Sequence, residues 1–275
     1  MLPVGSQSDL FALKTSHLRY VAMQRANVTM RIADVSIDLN LAYEILSRQG
    51  VLVDGNLSPK KKFPFLDFPI RLKDYIDEIL KPSNYTFLLR DGSAIQVGYN
   101  FNRRGIAVSH KLTFFFSPLS LPKFRFYLCD DRSVPTLGTA KDDIINGLAE
   151  FYALFKDVIN PNLLGFCAPV GLGDNELIEL WQDLTWVHGI RFDYNPAQNS
   201  ASHPASHATL FDKDCRIAVA HFLDVRRFLL MVFRHLWPFC PSIADQIAQS
   251  ITNRFHQAQL LPDGYQNSHG LFFGL

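Results

Sequence analysis

Apolar residues recur every fourth position at Ile37, Leu41 and Ile45, with Leu46 beside them, which predicts a helix over Ala33–Arg48. Gly50 supplies its stop. Residues 54–69 hold Pro59, Pro64 and Pro69 around three consecutive lysines, Lys60, Lys61 and Lys62, and read as a loop. Such a charge run is a solvated face or a phosphate contact. Leu72–Leu80 reads as a short amphipathic helix.

The period then drops to two. Tyr85–Arg90 and Ser93–Phe101 read as strands joined at Asp91-Gly92, a pair that predicts a two-residue hairpin turn with both central residues at positive φ. A second turn, Asn102–Gly105, leads to Ile106–Phe116, where Ile106, Val108, His110, Leu112, Phe114 and Phe116 share one face. Phe124, Phe126 and Leu128 alternate again within Lys123–Asp130. The four segments predict an antiparallel meander.

Helices are expected over Asp142–Val158 and Asp174–Leu184, then strands over Trp186–Tyr194, Ser206–Phe211 and Cys215–Ala220. Val225–Leu236 reads as a strongly apolar helix stopped by Pro238, and Ser242–Gln257 as a final amphipathic one. Strands in groups with helices between and after them predict an α+β fold with a mostly antiparallel sheet. The expected organisation is one domain over 1–275, with 1–30 as an arm or a helix around Leu10–Met23.

Composition supports a buried core: hydrophobic residues make up 48% of the 275, charged ones only 19%. The net charge of +1 provides no overall field toward nucleic acid or anionic lipid and leaves a local basic patch as the only electrostatic route. Cys129, Cys167, Cys215 and Cys240 lie far apart with no C-x-x-C pair, as expected of free thiols in a reducing compartment. Met1–Lys14 lacks the basic and apolar regions of a signal peptide, and Phe228–Phe233 is too short to cross a bilayer. The expected setting is the cytoplasm, without a membrane partner.

Candidate chemistry concentrates between His188 and Arg216. On the strand Trp186–Tyr194, alternation sends Trp186, His188, Ile190, Phe192 and Tyr194 one way, and Arg191 and Asp193 the other. Arg216 on a neighbouring strand can join them. One reading is an anion site, in which Arg191 and Arg216 bind phosphate with His203 or His207 as donor or proton shuttle. Another is a divalent metal site, with His203, His207 and Cys215 as ligands and Asp193 nearby. A third is structural: His203, before Pro204, bonds the loop backbone, Asp193 neutralises an arginine, and Cys215 is a small buried residue. His110 reads as a core histidine that can also approach this pocket. Gly171-Leu-Gly173 lacks the rest of a dinucleotide loop, and there is no Walker loop, Gly-x-Ser-x-Gly elbow or His-Glu-x-x-His.

Taken in order, Arg191-Phe-Asp-Tyr-Asn-Pro, His203-Pro-Ala-Ser-His207, Cys215-Arg-Ile and the apolar helix ending at Trp237 resemble the bacterial domain-of-unknown-function family number twenty-two-ninety. The hairpin from Tyr85 to Gln96 resembles its other signature, and the likeness spans Ala33 to Phe255. The resemblance implies a setting among mobile elements and anti-phage defence, without a reaction. Together these readings predict a nucleic-acid-associated or defence-complex protein using Asp193, His203, His207 and Arg216 as its active groups. The alternatives are a metal-dependent hydrolase or nuclease, and a non-enzymatic subunit bound to a protein partner.

Overall fold

Strands from distant stretches of the chain pair with one another, and the register of those pairs decides which way their side chains face. The computed structural model describes residues 30–60, 62–63, 66, 68–117, 136–149, 186–198, 205–210, 216–218 and 223–257, with 216–218 and 252–257 described by backbone alone. In order these give α1 (Ile32–Arg48), β1 (Leu52–Gly55), β2 (Ile70–Arg71), α2 (Leu72–Asp74), β3 (Phe87–Leu89), β4 (Ala94–Phe101) and β5 (Ala107–Phe115). Then follow α3 (Lys141–Ala149), β6 (Trp186–Val187), β7 (Gly189–Tyr194), β8 (Ser206–Leu210), β9 (Arg216–Ala218), α4 (Val225–Met231) and α5 (Pro241–Gln257). Helix α2 widens into a π-helical segment, Tyr75–Leu80, and α4 does the same over Val232–Leu236.

Among the described residues the main sheet has seven antiparallel strands in the order β1-β3-β4-β5-β7-β8-β9. The fold is therefore α+β, as the periodicity predicts. Three details differ from expectation. Strand β1 occupies the start of the segment read as a loop, because Leu52–Gly55 finds a partner in β3. The partner of β5 on its far side is β7, so the sheet continues with a strand far along the chain. Lys123–Asp130 lies outside the described residues, as do Asp174–Leu184 and the arm 1–29.

The third difference is the turn at Asp91-Gly92. Only Gly92 has positive φ, at 83°. Gly92 N donates to Leu89 O at 2.9 Å and Leu89 N to Ser93 O at 2.9 Å, a three-residue loop closed by a left-handed glycine. The Asp91 side chain explains the choice. It is buried and accepts bonds from Ser93 N (2.9 Å), Ser93 Oγ (2.8 Å) and Trp237 Nε1 (2.8 Å), which hold Asp91 in place without a positive φ.

One face of the sheet carries the rows Ile95–Phe114–Ile190–Leu210 and Val97–Leu112–Phe192–Ala208–Ile217 in register. Its buried members pack with Val35, Leu39, Ala42 and Leu46 of α1, Phe228 and Leu229 of α4, and Ile243 and Ile247 of α5. The other face is split. Leu88, Ala94 and Phe115 pack with Tyr75, Ile76, Ile79, Ile144 and Leu148 in a second core. Beyond that core the same face turns polar. Among the described residues no helix is long and apolar enough to cross a membrane.

Candidate functional site

The polar half is built by two rows in register: Gln96–Thr113–Arg191–Thr209–Arg216 and Gly98–Lys111–Asp193–His207–Ala218. Alternation of period two on β5, β7 and β8 puts these residues opposite the apolar rows, so the sequence that builds the core also builds this patch.

Arg191 is the centre. It is 3% exposed. Its Nε donates to Asp193 Oδ2 at 2.6 Å and its Nη1 to the Leu66 carbonyl at 2.8 Å. His207, 4% exposed, places Nε2 at 3.6 Å from the same Asp193 oxygen. Three residues read from the sequence as candidates are thus brought together. Arg216 stands opposite Thr209, in the row of Arg191, and its backbone alone is described. His203 and Cys215 lie outside the described residues. Among the described residues no three His, Cys, Asp or Glu side chains are grouped to hold a metal.

Thr113 and Thr209 are the residues that sequence reasoning passed over. They flank Arg191 on either side in the same row, and both are buried. Neither Oγ1 has a hydrogen-bond partner among the described residues. A buried hydroxyl without an acceptor costs about 1–3 kcal/mol, so two beside one guanidinium call for an explanation. The available signal was the off-face of Ile106–Phe116, where Ser109, Lys111 and Thr113 stand between Ala107 and Phe115.

The segment 66–71 runs alongside 186–191 in the opposite direction. Leu66 O meets Arg191, the Phe68 ring abuts Gly189, and Ile70 and Arg71 pair with Val187 and Trp186. A Cβ on Gly189 would sit 2.3 Å from the Phe68 ring, so glycine is what lets this strap lie down. The strap follows Lys60 and Lys62 in sequence, and both are exposed. Trp186 does not share the core-facing side of β7. The chain breaks at His188, whose carbonyl accepts from Phe116 N, and β6 pairs with β2 in a separate ribbon that leaves Trp186 45% exposed.

His110 lies on the opposite face, paired with Tyr194 and Tyr99, so it does not join the Arg191 cluster. Its Nε2 accepts from Leu223 N at 3.2 Å. Burial is the largest influence on it and pushes its pKa down to about 4, which keeps the ring neutral.

The fold and this cluster define an α+β protein with a buried Arg–Asp–His patch on one half-face of an antiparallel sheet. The chain belongs to the family DUF2290, described as an uncharacterized conserved protein, whose model matches residues 61–269. That match begins after α1 and β1, later than the Ala33 start of the likeness read from motifs, and extends past Phe255. No curated protein and no solved structure matches the chain.

Proposed function

We propose that the protein associates with nucleic acid and takes a phosphate group on the row Thr113–Arg191–Thr209, in the defence or mobile-element setting that the family resemblance implies. The observation that carries this reading is the pair of buried threonine hydroxyls with no acceptor on either side of Arg191. Two hydroxyl donors and a forked guanidinium suit a polyoxyanion.

Asp193 holds Nε of the guanidinium and so orients the fork. The Leu66 carbonyl holds Nη1 and occupies the place of an acceptor. A phosphate oxygen entering here takes over that bond, and the strap that carries Leu66 shifts as it does so. Phosphate contacts position a nucleic acid without reading its sequence, so the expected binding is salt-dependent and weakly sequence-selective.

The test is titration of the full chain with single-stranded and duplex DNA and RNA at low salt, beside the Thr113→Val, Thr209→Val double variant. Valine keeps the shape and removes both donors. Binding that weakens about tenfold in the variant and falls with salt supports the reading. Absence of binding to every nucleic acid, or equal binding by the variant, overturns it.

A further inference from the structure

The β2–β6 ribbon is two residue pairs long, yet it displays the most exposed tryptophan of the described residues. Trp186 is nearly half exposed, and the Arg71 guanidinium lies 5.9 Å from its ring centroid. Burying an indole is worth more than most side chains can contribute, so an exposed one held by a cation marks a contact surface. The arginine stands against one side of a ring that keeps nearly half of its surface exposed.

The strap decides what kind of partner. Exposed Lys60 and Lys62 precede it, Leu66 reaches Arg191, Arg71 reaches Trp186, and exposed Lys73 follows. Asp74 is the exposed carboxylate next to Lys73. Trp186 and Arg191 are five residues apart in sequence, on either side of the break at His188. A basic track with an aromatic ring beside it is the arrangement that binds a single strand, because every base has a face to stack while the phosphates follow the cations. A duplex keeps its bases stacked on each other and offers none to the indole.

We propose that Trp186, backed by Arg71, is a stacking platform for a nucleobase of single-stranded nucleic acid whose phosphate occupies the Arg191 row. This inference rests on the nucleic-acid reading above and adds the strandedness of the ligand.

The experiment uses the full chain, fluorescently labelled oligothymidylate and a mixed-sequence duplex at low salt. Trp186→Ala is expected to weaken oligothymidylate binding about tenfold, Trp186→Phe to recover most of it, and both to leave duplex binding unchanged. The ring is exposed, so thermal unfolding of both variants is expected to match the wild type. Unaltered oligothymidylate affinity in Trp186→Ala overturns the platform, and so does an equal loss on the duplex. If the Thr113→Val, Thr209→Val variant still weakens binding in that case, the phosphate site stands without the platform. Wild-type protein that binds no nucleic acid overturns both.

Discussion

Trp237 Nε1 donates to Asp91 Oδ2 at 2.8 Å across 146 positions of sequence. The bond ties the end of the α4 helical segment to the β3–β4 hairpin, and both residues are fully buried. Burial pushes the Asp91 pKa up, while the bonds from Ser93 and Trp237 oppose that shift. Trp237→Phe removes one donor to a buried carboxylate and leaves a void. The expected loss is about 2–4 kcal/mol, read from denaturant unfolding. A loss below about 0.5 kcal/mol would show that the anchor is idle.

His110 makes stability depend on pH. Its folded pKa of about 4 lies below the ordinary 6.5, so the unfolded chain binds more protons between those values. The contribution is fully present above pH 6.5 and is lost as pH falls toward 4. The shift corresponds to about 3 kcal/mol. In His110→Gln, which retains an acceptor for Leu223 N, unfolding free energy is expected to fall less over that interval. Parallel pH profiles for variant and wild type would refute the assignment.

Asp38 of α1 and Arg226 of α4 form a buried ion pair, Nε to Oδ1 at 2.7 Å, with Arg226 Nη1 also on the Ser250 carbonyl at 2.7 Å. Arg226→Met takes the guanidinium from a fully buried carboxylate, and a cost of about 3–5 kcal/mol is expected. Asp38→Leu added to Arg226→Met removes that charge and is expected to recover most of the cost. Additive losses in this double-mutant cycle would contradict the coupling.

Thr113→Val and Thr209→Val carry a stability signature opposite to their effect on binding. Each hydroxyl loses water on folding without gaining an acceptor among the described residues. Replacing it with a methyl group is expected to leave stability unchanged or raise it by about 1 kcal/mol per site. A melting temperature that drops in either variant would mean that the hydroxyls already serve the fold.

Much of this architecture was legible because periodicity is local. The stripe Ile37–Leu41–Ile45 locates α1, and alternation on Ile106–Phe116 locates β5. Strand order was not legible, since nothing near Phe114 names Ile190 as its partner. Strand β1 was hidden by the prolines that follow it. At the site, the i, i+2 relation of Arg191 and Asp193 was readable from the strand. The Leu66 carbonyl that accepts from the arginine was not, because a backbone acceptor has no residue-type signature. Trp186 was misplaced for a related reason: alternation assumes an unbroken strand, and the chain changes sheets at His188.

Strand β1 stands ahead of the region that the family model matches, and it covers β3 at one margin of the sheet. The matched region therefore begins its sheet with Phe87-Leu88-Leu89, three buried apolar residues whose outer amides and carbonyls β1 otherwise occupies. An uncovered apolar edge recruits other strands, including those of identical molecules. The strand ahead of the matched region thus spares β3 from being outermost among the described residues and puts the half-buried Leu52–Gly55 there in its place.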